Sequence, residues 1–517
     1  MCGINGFNFS GEELIRKMNE KILHRGPDGN GIFVCDQVSL GHTRLAIIDL
    51  RDIAAQPMFS ADDSFVLVFN GEIYNFQEIR GELMKKGYKF RTESDSEVIL
   101  NAYQEYGVKC LNKFNGIFAF ALYDKKDRSL FLARDRVGVK PLYYYWDEKR
   151  FIFSSEIKAI LEHNIKREVD TDALNMYFRV LYVPAPLTMF RGINKLEPGS
   201  YLILKNGQLS KHKYWQPQDF ADFSDIAQTQ EEIKRLMKDS VRLQLISDRP
   251  VGVFLSGGID STVITGIARE YLGKNVKTFS VRYDIDSDKF NSDADLAKKT
   301  SEYYKTDHHE FLVSGRDAAA NLFDVVYHLD EPVANATQIA TYLLSKHAGK
   351  QVAVVLGGDG GDELFGGYER YRLSRFISSY QKMPLAFRKS FGTFFINLFK
   401  NKYPAIEKFN FQGAERYLSF MAQKGKDVSL FINDKYYNNR VAAEFYQERY
   451  FKEKINDFEK QFMWADIRSW LPDESLSRSD KMSMAFGLEQ RVPILDHRLV
   501  ELSLRIPTKW KIKGKDK

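Results

Sequence analysis

The hydrophobic pattern of this chain changes character near residue 216, and that change constrains the fold more than any other feature. Upstream, short strand-like runs alternate with turn signals. Residues 65–69 form one run, before Asn70-Gly71; residues 116–123 and 129–133 form two more. Asn-Gly is a strong hairpin signal, so the first run is read as stopping there. Helical spacing fills residues 96–106, and residues 201–204 with Asn206-Gly207 read as a last hairpin. Many strands with few interleaved helices predict packed antiparallel sheets. Downstream, Ile233, Leu236, Met237 and Val241 share a helix face. The apolar run 251–255 leads through a glycine turn into a helical pattern ending at Leu272, and residues 276–281 and 351–356 are further strands. Strands alternating with helices predict a parallel sheet with crossover helices. The chain is therefore α+β in its first part and α/β in its second, with a mostly helical, basic-aromatic tail from Glu369.

A chain of 517 residues exceeds one ordinary domain. The polar stretch 216–230 marks the boundary. The domains are read as 2–212 and 231–517, joined by a linker over 213–230. Charge is balanced, with 75 basic against 69 acidic residues, so composition gives no argument for nucleic acid. Arg370, Arg372, Arg375 and Lys382, interleaved with aromatics, read as a solvated helix face. The three cysteines, Cys2, Cys35 and Cys110, make neither a disulfide framework nor a zinc cluster. A reduced, cytoplasmic protein is expected. No signal peptide opens the sequence. The aromatic stretch 391–399 is too short to span a bilayer and reads as one face of a buried helix.

Two features carry chemistry. Cys2 directly follows the initiator Met1. Removal of Met1 leaves a thiol nucleophile and an α-amine of pKa about 7.7–8.0 on one residue, so that residue supplies both nucleophile and base. Alone, Cys2 is an ordinary second residue; the motifs that accompany it reverse that preference. The second feature is Ser256-Gly-Gly-Ile-Asp-Ser261, after a strand and opening a helix. Glycines admit a phosphate close to the backbone, and helix N-terminal N–H groups favour anions. No Gly-Lys-Ser/Thr follows, so this is not a Walker loop. A similar turn, Gly357-Gly-Asp-Gly-Gly-Asp-Glu363, follows the strand 351–356. Asp260 and Asp362 are placed to converge on Mg²⁺, a hard cation that takes carboxylate and phosphate oxygens.

The chain resembles the glutamine-dependent asparagine synthetases over nearly its whole length. In the first half the resemblance rests on Met1-Cys-Gly-Ile4, His24-Arg-Gly-Pro-Asp-Gly29, His42-Thr-Arg-Leu45, Asn70-Gly-Glu-Ile-Tyr-Asn75, Ser94-Asp-Ser-Glu97 and the run from Arg134 to Leu142. In the second it rests on Ser256 to Ser261, Gly358 to Tyr368, Asp480 to Ala485 and Leu488 to Asp496. The resemblance implies an Ntn-type four-layer αββα glutaminase sandwich fused to a PP-loop adenylating domain. It implies attack by Cys2 on the glutamine amide, with Asn70 and the Gly71 N–H holding the oxyanion. Arg44 would pair with the glutamine α-carboxylate, and Asp95 and Glu72 with its ammonium. ATP would lie on Phe254, Ser256, Gly257, Gly258, Asp260, Ser261, Val281, Gly357 and Gly358. Lys481 and Asp359 would act near the phosphates. Glutamine, aspartate and ATP are the implied small-molecule partners, with Mg²⁺ and a homodimer, and without nucleic acid or membrane.

Three departures accompany the match. Asp359 stands where relatives often carry Glu, Asn335 where many carry Asp, and relatives usually continue beyond Lys517. One rival reading keeps the chemistry and changes the acceptor to another carboxylate, such as a sugar acid of a surface polysaccharide. A second makes the chain a non-catalytic scaffold. The joint presence of Cys2, Asn70, Asp260, Asp362 and Lys481 argues against the scaffold. An apolar, water-poor passage for ammonia is expected between the domains.

Overall fold

The computed structural model describes residues 2–217, 220–285, 288–384, 409, 411–421, 425–452, 455 and 457–512. Met1 and the aromatic stretch 391–399 lie outside them. Two six-stranded antiparallel sheets form the first half. One runs Ile193–Lys195, Tyr143–Trp146, Phe151–Ser154, Gly3–Phe7, Val38–Arg44, Gly29–Cys35; the other runs Gln208–Lys213, Ser200–Lys205, Ser129–Arg134, Gly116–Asp124, Phe65–Ile73, Met58–Phe59.

Strand alternation explains the layering. Along Phe65–Ile73, Val66 and Val68 face Ile4, Leu40, Ala119 and Leu132 between the sheets. Leu67 and Phe69 point the other way, onto the helices Phe76–Lys85 and Asp95–Tyr106. The helix Glu12–Lys21 covers the opposite outer face through Ile15 and Met18, with Ile22 just past its end. The result is the expected αββα sandwich.

The second half is built on a five-stranded sheet, parallel throughout, in the order Asp307–Val313, Lys277–Tyr283, Val251–Phe254, Val354–Leu356, Glu489–Arg491. Tyr74, Ile117, Val137 and Val139 of the first half share one apolar core with Leu236, Met237, Val241, Leu495 and Val500 of the second. No helix among the described residues is long and apolar enough to cross a membrane.

Four local expectations change. Asn70-Gly71 does not turn the chain: both lie inside the strand Phe65–Ile73, opposite Ala119 and Phe118. Only residues 354–356 of the run 351–356 are strand, because the Gln351 and Val352 N–H groups turn back onto Ala348 O, closing the preceding helix. The helix Ile226–Gln244 begins inside the expected linker, since Asp225 caps it, accepting from Ala227 N and Gln228 N. Arg370 and Arg375 are not a solvated face. Arg370 pairs with buried Asp466 over the Tyr368 ring, and Arg375 donates to Thr508 O and Ile512 O.

Candidate active sites

The antiparallel register Gly3 opposite Thr43 brings Cys2 beside Arg44 and Leu45. Cys2 is buried, and its Sγ lies 3.9 Å from Leu45 O. Burial pushes the thiol up, and Glu489 and Glu72 add to the effect. One pocket is lined by Cys2, Arg44, Leu45, Ile47, Gly71, Glu72 and Asp95 among others, so the structure brings the predicted glutamine residues together.

Asn70 Oδ1 accepts from Cys2 N at 3.0 Å. That leaves Asn70 Nδ2 as a buried donor with no partner. A buried polar group without a partner costs about 1–3 kcal/mol, and such a group in a native protein calls for an explanation. Gly71 follows at φ 147°, and an added Cβ would sit 2.1 Å from Ile117 O. Only glycine fits there. The Asn-Gly pair thus sits mid-strand, with Asn70 bound to the Cys2 backbone and Gly71 fitting against Ile117, instead of turning the chain.

Arg44 is aimed by backbone carbonyls, with Nη1 on Arg51 O at 3.2 Å and Nη2 on Asp49 O at 2.6 Å. Asp95 opens its helix and accepts from Ile73 N at 2.9 Å. Burial pushes its carboxyl up to about 6, with a further contribution from Glu489. Glu72 is raised well above the ordinary range by burial, then by Glu489 and Asp95. Arg491, from the second half, counters this at 3.3 Å from Glu72.

The second centre lies at the C-terminal ends of the parallel strands, where open α/β sheets hold ligands. The strand Val251–Phe254 runs into Ser256-Gly257-Gly258, and Gly258 precedes the helix Ile259–Leu272. Gly257 takes φ 79°, and an added Cβ would meet Asp293 O at 2.3 Å. Ser261 Oγ binds back to Ser256 N and Gly258 O, fixing the loop. Phe254 and Val281 pack partly buried in neighbouring apolar clusters. Gly357 N donates to Arg491 O, holding the second loop to the adjacent strand. Burial raises Asp260 to about 6, and Asp362 and Asp359 add to the shift, so the three carboxylates converge. Asp359 is held by Gln490 Nε2 at 2.6 Å and by Ser475 and Ser479 hydroxyls at 3.1 and 3.3 Å.

Lys481 is placed differently. Ser475 and Ser479 face Asp359, and Lys481 lies about 200° round the helix from Ser479. Its Nζ donates to Leu329 O and pairs with Asp330 at 3.1 Å. Burial would lower its ammonium, but Asp330 beside it holds it above the ordinary range. Lys481 thus braces the start of the loop 330–337.

That loop is also fastened to the first half. Asp330 pairs with Lys158 at 2.9 Å and accepts from Ile157 N. Glu331 pairs with Lys195 at 2.5 Å and accepts from Met189 N, and Ala334 N donates to Leu181 O. Elsewhere in the seam, Arg25 donates to Cys2 O and pairs with Glu156 and Asp480. The motifs alone do not single out Lys158, Lys195, Arg25, Gln490 or Arg491. Arg25, Gln490 and Arg491 sit inside matching motifs; Lys158 and Lys195 give no sequence signal.

The seam beside Cys2 is therefore charged rather than apolar throughout. An apolar bridge does cross it. Leu45 and Ile47 of the pocket pack with Ala353, Val354 and Met484 of the second half. Val354 belongs to the strand that ends at the second glycine loop.

A glutamine-type thiol pocket on an αββα sandwich, joined to a glycine loop at the head of a parallel sheet, defines a two-centre amidotransferase. Residues 1–215 match the glutamine amidotransferase domain family and residues 232–517 the asparagine synthase family. The chain is 35% identical over 533 residues to glutamine-hydrolyzing asparagine synthetase 1 of Bacillus subtilis, covering 99% of this chain and 82% of that protein. It is 39% identical over 412 residues to a putative glutamine-hydrolyzing asparagine synthetase 2 of Methanocaldococcus jannaschii, covering 74% and 79%. A third relative, glutamine-hydrolyzing asparagine synthetase 3 of Bacillus subtilis, is 32% identical over 538 residues, covering 100% and 82%. The chain belongs to the glutamine-hydrolysing asparagine synthetase family.

Proposed function

We propose that residues 2–212 release ammonia from glutamine and residues 231–517 spend it on an activated aspartate, giving asparagine. Cys2 Sγ attacks the glutamine amide carbon while the α-amine freed by loss of Met1 takes the thiol proton. The oxyanion forms against Asn70 Nδ2 and the Gly71 N–H; each such donor is worth about 2.7–4 kcal/mol. Arg44 holds the glutamine α-carboxylate, and Asp95 with Glu72 holds its ammonium. Collapse of the adduct expels ammonia, and water then releases glutamate from the thioester.

At the second centre the aspartate β-carboxylate attacks the ATP α-phosphorus and pyrophosphate leaves. Phe254, Val281 and both glycine loops, through Ser256, Gly257, Gly258, Asp260, Ser261, Gly357 and Gly358, hold the nucleotide. Ammonia attacks the β-aspartyl-AMP carbonyl and AMP departs. Asp359 sits at this centre. Lys481 serves it through Asp330 rather than at the phosphates.

Mg²⁺ fits Asp260 and Asp362. Among the described residues no group of three or more His, Cys, Asp or Glu could hold a metal by itself, but Mg²⁺ is ordinarily held by one or two carboxylates together with substrate phosphates. Burial, then the neighbouring Asp362 and Asp359, raise the Asp260 carboxyl, and a cation there would favour its charged form. When bound, the ion would neutralise charge on the leaving pyrophosphate. The three cysteines are free, which suits a reducing cytoplasm; a homodimer completes the reading.

The observation that supports coupling of the two centres is the apolar cluster that Leu45 and Ile47 form across the seam with Val354 and Met484, since apolar surroundings favour neutral ammonia over ammonium. The test is product analysis with glutamine, Mg-ATP and a panel of carboxylic acids. Asparagine, AMP and pyrophosphate in equal amounts are expected with aspartate. Faster AMP release with a sugar acid would replace aspartate as the acceptor. Cys2→Ala should lose glutamine-dependent synthesis and keep ammonia-dependent synthesis.

A further inference from the structure

Residues 471–476 form a π-helical segment leading into the helix Ser477–Met484. Such segments are rare and concentrate at functional sites. Glu474 lies in it, 4% exposed. Its Oε1 accepts from Asn335 Nδ2 at 2.7 Å and from Arg478 Nε at 3.2 Å. Its Oε2 is buried with no partner. Arg478 is 9% exposed and is tied to Glu474 through Nε, which leaves the terminal nitrogens of its fork for another acceptor. An anion with a buried, unpartnered oxygen and a largely buried cation thus stand one helical turn apart.

We propose that Glu474, Arg478 and Asn335 form the subsite that recognises the α-ammonium and α-carboxylate of the acceptor acid. This rests on the reading of the second centre given above. The placement suits the reaction. Ser475 and Ser479, the next residues round the helix, donate to Asp359 at the glycine loops. An amino acid gripped by Glu474 and Arg478 therefore has its side-chain carboxylate directed to the neighbouring face, where the nucleotide is held. The guanidinium fork matches a carboxylate with two parallel hydrogen bonds. Glu474 Oε2 is an acceptor awaiting a charged donor, which an α-ammonium supplies.

Asn335 gives the subsite its polarity. Its Oδ1 accepts from Thr337 N at 3.0 Å and Thr337 Oγ1 at 2.8 Å, so the amide is turned with its NH₂ on Glu474. An acid at this position would set a second carboxylate against Glu474. The amide instead leaves the Glu474 charge to be neutralised by substrate and Arg478. The subsite thus selects an α-amino dicarboxylic acid over an acid lacking either α group.

The test uses the full chain in the ammonia-dependent reaction, reading AMP release. Succinate lacks the ammonium and β-alanine lacks the α-carboxylate; each is assayed as a competitor of aspartate. Glu474→Gln should raise the aspartate KM about tenfold or more and leave succinate inhibition unchanged. Arg478→Met should raise the aspartate KM similarly, leave β-alanine inhibition unchanged, and be partly restored by Arg478→Lys. Glutamine hydrolysis at Cys2 in the same preparations reports intact folding. An unchanged aspartate KM, or equal losses for aspartate and both analogues, overturns the subsite while the proposed function stands. Absence of aspartate-dependent AMP release in the unmutated enzyme overturns that function and the subsite with it.

Discussion

The Arg491 guanidinium, on the last strand of the parallel sheet, lies 3.3 Å from the Glu72 carboxylate in the glutamine pocket of the other half. Both are buried, and Glu489 holds Arg491 from its other side. The wall of the Cys2 pocket is therefore braced by a residue of the second half. Removing one member of a buried ion pair costs about 3–5 kcal/mol. Arg491→Met should lower stability by that amount and raise the glutamine KM. Denaturant unfolding and steady-state glutaminase kinetics measure the two effects; an unaltered glutamine KM would show that Glu72 needs no help from Arg491.

Gly71 leaves no room for a side chain, with Ile117 O 2.1 Å from an added Cβ. Gly71→Ala should displace the oxyanion N–H. Loss of one such donor lowers kcat by about 10²–10³. Glutaminase kcat should fall by that factor while ammonia-dependent synthesis persists. A variant with near-normal glutaminase kcat would remove Gly71 from the oxyanion site.

Asp95, raised to about 6 by burial, must be ionised to hold an ammonium. As pH falls below about 6, kcat/KM for glutamine hydrolysis should drop about tenfold per unit. The effect on stability has the opposite sign. A carboxyl whose folded pKa is raised binds more protons folded than unfolded. Its contribution therefore falls as pH rises between about 4 and about 6, and is constant above. Asp95→Asn should bind glutamine poorly at every pH and lack this limb. A pH profile for the unmutated enzyme that stays flat from 7 to 5 contradicts the assignment.

Lys195 of the first half holds Glu331 at the start of the loop that carries Asn335. Lys195→Met should raise the aspartate KM of the ammonia-dependent reaction and spare the ATP KM and glutamine hydrolysis. Kinetics with ammonium chloride in place of glutamine make the comparison. Equal changes in the aspartate and ATP constants would point to general loosening of the synthetase half.

Much of this architecture is legible in the residues. The alternation of Val66 and Val68 with Leu67 and Phe69 states the two-sided burial of a sandwich strand, and the run into Ser256-Gly257-Gly258 states a strand, a phosphate loop and a helix. Asn70-Gly71 misleads because a local turn propensity is overridden by the ladder, which pairs the two residues with Ala119 and Phe118 inside the strand. For Lys481 the motif gives the helix but not that its ammonium lies on Leu329 O and Asp330. Lys158 and Lys195 are illegible for a simpler reason. Their partners, Asp330 and Glu331, lie more than a hundred residues away, and a lone lysine in sequence looks the same whether solvated or buried.

The ion pairs Arg25–Asp480, Lys158–Asp330, Lys195–Glu331 and Arg491–Glu72 each take one member from either side of the seam. A recombinant chimera that kept one half and borrowed the other from a distant relative would strand a charge at every mismatched position. Exchange of whole domains is thus restricted to donors that carry the same set of complementary signs, and the two catalysts are inherited as a single unit.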